Sequence, residues 1–394
     1  MKKKIAIVTT HPIQYNAPWF RLLAEEINID LTVFYTWSQA ETGNQYDPGF
    51  DKVIQWDLPL LEGYNYRFIE NVAKNPGSHH FFGINNPTLN NEIENWNPDA
   101  ILIIGWSFKS HLSCIKYFSG KKNTVFFRGD STLIDESETS SIKKLIRKFF
   151  LQWVYNSVDL AFYVGKNNYD YYLKFGLKDK QLFYAPHAID NKRFFDNKEV
   201  YETKANEWRR ELGIKDQETV FLFAGKLEAK KNPLLLLEAF KMADLPASHL
   251  VFVGNGELEE KLKEKAGISP NIHFLPFQNQ TVMPVVYRLG QVFVLPSSGP
   301  GETWGLAINE AMACERVVIS SDKCGGTIDL IDEGKGGYIF KSNSIDSIIN
   351  ALKKCLSKNQ ELSVMGKYNG CKVQDFSFTK IVHSINQQLQ ALKR

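Results

Sequence analysis

At 394 residues the chain exceeds what one hydrophobic core usually supports, so two domains are expected. With 47 basic and 44 acidic residues its formal net charge is +3, which gives no reason to expect a nucleic-acid binder, since a dedicated one usually shows a concentrated basic surface. Five scattered cysteines (Cys114, Cys314, Cys324, Cys355 and Cys371) show no CxxC or Cys/His spacing that suggests zinc, argue against a disulfide framework in so long a chain, and point to reduced thiols in a reducing cytoplasm.

In chain order, the apolar stretch Ile5–Val8 is too short for the core of a secretory leader and reads as a buried first strand. No apolar run approaches the ~18 residues that span a bilayer, so the expectation is a cytoplasmic protein, soluble or peripheral to the inner face of the membrane. Near-continuous runs of Val, Ile and Phe, with little alternation, mark strands covered on both faces. They fall at Lys4–Thr9, Leu31–Tyr35, Ala100–Gly105, Thr124–Arg128, Leu160–Val164 and, more weakly, Leu182–Ala185. Asp196–Glu218 follows, with 12 charged residues in 23 and a surface helix near Trp208–Leu212. Further runs follow at Val220–Ala224, Leu250–Val253, Ile272–Leu275, Val292–Leu295, Val317–Ser320 and Gly337–Phe340. Helical segments intervene, such as Pro233–Met242 and Leu258–Ala266, and Phe378–Lys393 reads as a last helix. The pattern predicts an α/β protein of two tandem Rossmann-like, doubly wound domains facing a cleft. The expected division is 1–195, 196–375, and a C-terminal helix over 376–394 that packs back on the first domain.

A helical stripe at Ile142, Leu145, Ile146, Phe149 and Trp153 lies beside Lys143, Lys144, Arg147 and Lys148. It admits two readings: a basic patch meeting anionic lipid or a lipid-diphosphate acceptor, or a helix buried on the sheet with a solvated cationic face. The second is favoured, because the stripe is sized for packing and the polar face is short.

Ligands of open α/β sheets bind beyond the carboxyl ends of the strands, so those ends are where chemistry is sought. In the first half they carry Thr10-His11-Pro-Ile-Gln-Tyr15, Gly105-Trp-Ser-Phe-Lys-Ser-His111 and Arg128-Gly-Asp130. A lone histidine is more often a satisfied polar group than a catalyst, which is the reading favoured for His111 and for His187 in the interdomain turn. Arg128 and Asp130 are either site residues or simply a pair.

The richest strand end is Leu295-Pro-Ser-Ser-Gly-Pro-Gly-Glu-Thr-Trp-Gly-Leu-Ala-Ile-Asn-Glu-Ala-Met-Ala-Cys314. A buried strand enters a glycine-rich loop (Gly299, Gly301, Gly305), and a helix opens near Leu306. Backbone amides and the helix N-terminus there make an anion site. Glu302 and Glu310, with seven residues between them, flank it; carboxylates of this kind hold vicinal sugar hydroxyls.

This segment resembles the Glu–seven residues–Glu motif of the family-4 retaining glycosyltransferases with the GT-B fold. Three further segments resemble the family in order and spacing: Ala185-Pro-His-Ala-Ile-Asp190, Phe223-Ala-Gly-Lys226-Leu-Glu-Ala-Lys-Lys231, and Val253-Gly-Asn-Gly-Glu257. The resemblance implies that Glu310 binds the donor ribose and Glu302 the transferred sugar, while Lys226 and Lys231 clamp the diphosphate. Lys226 stands where the family usually has arginine, and keeps the charge without the bidentate fork.

By the same resemblance Gly225, Gly254, Phe277, Gly301, Thr303, Trp304, Gly305 and Leu306 line the donor site. His11, Arg128 and Asp130 are candidates on the acceptor side, where many relatives place a histidine that this sequence lacks near Arg128. The implied reaction is retaining transfer of a sugar from a nucleotide-diphosphate sugar to a glycan or lipid-linked acceptor. The leaving phosphate is the base, with no metal and no cofactor beyond the co-substrate.

The rivals are a nucleotide-sugar epimerase on the same fold and a non-catalytic nucleotide-sugar-binding protein. Glu302, Glu310 and Lys231 together argue against the latter. A dehydrogenase is disfavoured because no G-x-G-x-x-G follows the first strand.

Overall fold

The computed structural model describes residues 2–40, 45–47, 52–134, 136 and 141–392. Lys393, at the end of the expected last helix, lies outside them. The strands are β1 (Lys3–Thr9), β2 (Ile29–Tyr35), β3 (Gln45–Asp47), β4 (Lys52–Ile54), β5 (Asn65–Phe68), β6 (Ala100–Ile104), β7 (Thr124–Arg128), β8 (Leu160–Tyr163), β9 (Leu182–Tyr184), β10 (Thr219–Ala224), β11 (Ser248–Val253), β12 (Ile272–Leu275), β13 (Val292–Leu295), β14 (Val317–Ser321) and β15 (Gly337–Phe340). All twelve strands expected from the sequence are present. β3 and β4 pair as a separate ribbon.

The chain divides into two compact units. The first holds a seven-stranded sheet in the order β5-β2-β1-β6-β7-β8-β9, the second a six-stranded sheet in the order β12-β11-β10-β13-β14-β15. Every pairing within these two sheets among the described residues is parallel. Numbered within its own unit, the second sheet runs 3-2-1-4-5-6, and the first runs the same way with a seventh strand added. Both are therefore doubly wound Rossmann-like sheets.

The reason lies in the strands themselves. β10 (TVFLFA) and β11 (SHLVFV) are buried at every position, which requires helices on both faces. Helix Pro233–Ala243 supplies one cover, packing Leu236, Leu237 and Phe240 into a core with Phe221, Phe252 and Val294. In the first unit Ile101, Ile103, Phe127 and Tyr155 belong to the corresponding core.

The units comprise 1–45, 59–187 and 378–394 on one side, and 46–58 with 188–377 on the other. The second unit thus begins earlier than the expected 196. Asn191 explains this: its Nδ2 donates to the carbonyls of Val373 and Phe376, each at 3.2 Å. The excursion 46–58 belongs to the second unit through Asn279, whose Nδ2 donates to Gln55 O at 2.8 Å. Helix Phe378–Ala391 packs in the first unit against helix Ala17–Ala24 and β1. Asn386 Nδ2 donates to Glu26 at 2.8 Å there.

One expectation is overturned. Helix Ser141–Tyr155 forms where the stripe predicted it, but the stripe is not its buried face. Leu151, Val154 and Tyr155 enter the core, whereas Ile142, Leu145, Ile146, Phe149 and Trp153 are exposed. Those three residues lie on the other side of the helix, a face the stripe pattern did not pick out.

Candidate active site

The point where strand order reverses in the second sheet lies between β10 and β13, and there a doubly wound fold opens a crevice beyond the strand ends. Gly225 and Lys226 follow β10. A single turn, Ala229–Lys231, then leads through Asn232 into helix Pro233–Ala243, whose first turn carries proline. From β13 the chain enters the loop 296–305, in which Gly299, Gly301 and Gly305 take φ of +64°, +90° and +88°. Gly305 is the N-cap of helix Leu306–Ala313, so no side chain caps that helix and its positive end meets the loop.

Ser298 N donates to Lys230 O at 2.9 Å and ties the two loops together. Across this seam the Lys231 ammonium pairs with Glu302 Oε2, and Ser297 Oγ donates to the same oxygen at 3.0 Å. The two side chains are only 18% and 9% exposed. Two residues assigned separately to phosphate and sugar are thus one ion pair at the switch point. Lys226 is half-buried close by in sequence, and Lys230 lies 3.8 Å from Glu228.

The neighbouring strand end is drawn in by glycine. Gly254 has φ +140°, and a Cβ there would stand 2.0 Å from the Gly225 carbonyl oxygen, so the turns after β10 and β11 lie backbone on backbone. Asn255 Oδ1 accepts from Phe277 N at 2.8 Å and brings up the loop after β12.

Glu310 is buried on helix Leu306–Ala313, where Oε2 accepts from Tyr287 OH at 2.6 Å. Sequence reasoning missed Tyr287; it lies on a different helix, Met283–Arg288, and no spacing links the two. Trp304 braces the loop from within. Its indole is buried and donates to Asn309 Oδ1 at 2.8 Å, and its carbonyl accepts from Cys324 Sγ at 3.0 Å. Burial pushes the Cys324 thiol up to about 12, which keeps it neutral. Thr303 and Leu306 are half-buried and Gly301 is exposed.

Residues 204–371 match the family model described as "Glycosyl transferases group 1". The matched stretch lies within the second unit. The UDP-Gal:alpha-D-GlcNAc-diphosphoundecaprenol alpha-1,3-galactosyltransferase of Escherichia coli is 34% identical over 185 residues, 44% of this chain and 46% of that protein. D-inositol 3-phosphate glycosyltransferase of Gordonia bronchialis is 28% identical over 200 residues, 47% of this chain and 42% of that protein. The chain spans about half the length of these curated relatives.

Among solved structures, Anabaena HepE in complex with UDP and glucose superposes with a TM-score of 0.70 at 15% identity, covering 99% of this chain and 100% of that one. Sucrose-phosphate synthase from Thermosynechococcus elongatus gives 0.73 at 17%, covering 99% and 98%. At such identities the likeness is one of fold, the GT-B fold of two Rossmann-like domains.

Glu302 and Glu310, with seven residues between them, both fall within the matched stretch. The first unit places the remaining candidates apart by role. His11 follows β1, at that sheet's own switch point between β1 and β6. Its Nδ1 lies 2.9 Å from Thr10 Oγ1, and Trp37 meets the ring edge-on at 5.2 Å. Burial, with a smaller effect of His79, lowers its pKa to about 4, so it is neutral at pH 7.

His111 is a core residue: Nε2 lies 2.9 Å from Thr36 Oγ1, and Nδ1 lies 3.0 Å from the carbonyls of both Ile104 and Gly105. Arg128 turns inward, with the Asp130 carboxylate among the charges that favour its cation. It is buried and spans the carbonyls of Ala185 and Pro186 at 2.6 and 2.9 Å. Five donors on one planar head can pin a turn in this way. Asp130 lies 3.5 Å from His187 Nε2. Separation by 57 residues hides this pairing from any local pattern.

Proposed function

We propose that this protein is a retaining glycosyltransferase, moving a sugar from a nucleotide-diphosphate sugar to a hydroxyl of a glycan or lipid-linked acceptor. The observation that carries the reading is the Lys231–Glu302 pair at the switch point of the second sheet, beside the uncapped end of helix Leu306–Ala313. The diphosphate takes Lys231, Lys226 and the helix N-terminus as counter-charge, a preorganised stabilisation of the leaving group without an obligatory metal. Released from the lysine by the incoming phosphate, Glu302 accepts hydrogen bonds from the sugar hydroxyls, and Glu310 accepts from the ribose. The bond from the anomeric carbon to the phosphate oxygen breaks as the acceptor oxygen attacks the same face, and the acceptor proton passes to the leaving phosphate.

The solved complex of HepE with UDP and glucose and the E. coli relative's named use of UDP-Gal support this class of donor. That relative's named lipid-diphosphate sugar supports the class of acceptor. The test is a thermal-unfolding screen against UDP, GDP, ADP and their sugars. A matching nucleotide at a hundred times its Kd adds about 2.7 kcal/mol of stability. No shift with any of them would sink the donor assignment.

A further inference from the structure

Helix Ser141–Tyr155 presents to solvent what helices of soluble proteins normally hide. Ile142, Leu145, Ile146, Phe149, Phe150 and Trp153 follow the spacing i, i+3, i+4, i+7, i+8, i+11 and form one continuous stripe. All six are exposed, Ile142 at 71%, Ile146 at 64% and Phe149 at 62%. The helix is held by other residues: Leu151, Val154 and Tyr155 are buried, and Arg147 bonds Glu136 at 3.0 Å and the Tyr171 hydroxyl at 3.3 Å. The stripe is therefore not required to hold the helix in place, and water is an unfavourable neighbour for so large an apolar patch.

The charges that the helix itself carries are of one sign. Lys143 and Lys148 border the stripe on its two sides, Lys144 and Arg147 lie behind them, the helix has no acidic residue, and Lys116 Nζ lies 3.5 Å over the Trp153 ring. No helix among the described residues is long and apolar enough to cross a membrane. We propose that this helix lies on an anionic lipid bilayer. The stripe enters the boundary between headgroups and acyl chains, and the lysines contact lipid phosphates. An apolar face bearing Trp and Phe, with cations and no acid, fits that surface better than a protein groove, which would need acidic partners aligned with every lysine.

The experiment is sedimentation of the full-length protein with phosphatidylcholine vesicles, with and without roughly a third phosphatidylglycerol. Vesicle binding is read without reference to sugar transfer, so its outcome is independent of the transferase reading. The protein is expected to bind the anionic vesicles, less at high salt. Replacing Lys143 and Lys148 by Gln together weakens binding by about 25-fold, at roughly five-fold per cation. Ile146→Gln with Phe149→Gln abolishes it and leaves thermal unfolding unchanged. Equal partition into neutral and anionic vesicles, or wild-type binding by both variants, would overturn the proposal. So would a solution dimer that Phe149→Gln dissociates in a protein that ignores vesicles, since the stripe would then belong to a second copy.

Discussion

Lys231→Ala tests the centre of the site most directly. Truncation leaves the buried Glu302 carboxylate on the Ser297 hydroxyl, without its cation. Breaking a fully buried pair costs about 3–5 kcal/mol. The lysine side chain retains 18% exposure, so water relieves part of that; a loss of about 2–3 kcal/mol is expected. For a unit of this size that corresponds to a fall of roughly 4–12 °C in Tm. Turnover at saturating donor should drop by about 10²–10³, the effect of removing one preorganised donor from a developing anion.

The double variant Lys231→Met with Glu302→Gln separates the two effects. It has no uncompensated charge, so urea denaturation should show much of the stability restored, while nucleotide release from the donor stays at background. If Lys231→Ala turned over donor like wild type, or if the double variant were no more stable than the single one, the pairing argument would be refuted.

Two other expectations bear on the frame around the pair. Gly305→Ala places a Cβ 2.4 Å from Cys324 Sγ at a φ of +88°, so the loop must move; donor binding by calorimetry should weaken at least ten-fold, about 1.4 kcal/mol, and unchanged affinity would show that loop position is not critical. His111 has its pKa lowered by burial from 6.5 to about 4. The native state then binds fewer protons than the unfolded chain between those values. The associated stability is present above pH 6.5 and is lost as pH falls towards 4, by about 3 kcal/mol. Urea midpoints across that range should fall less steeply in His111→Gln, and an identical pH dependence would remove His111 as the cause.

The two-sheet α/β architecture was legible because its strands are covered on both faces, so burial itself is written into runs such as Val220–Ala224 and Val292–Leu295. β5 was not legible: Asn65–Phe68 is a short edge strand whose first three residues are exposed, and it carries no apolar run. The glycine-rich loop after β13 was legible for a related reason. Glycines at positive φ and a strand-to-helix junction are local requirements of backbone geometry, and Gly299, Gly301, Gly305, Glu302 and Glu310 sit within twelve residues of one another.

What joins distant residues could be decided only in three dimensions. The Lys231–Glu302 pair bridges 71 positions, Tyr287 reaches Glu310 from another helix, and Arg128 turns inward to carbonyls 57 and 58 residues on. The stripe on helix Ser141–Tyr155 is the plainest instance. Periodicity fixes that these side chains share a face, but which face meets the core depends on the sheet beside it. Here the core takes Leu151, Val154 and Tyr155 and leaves the stripe in water.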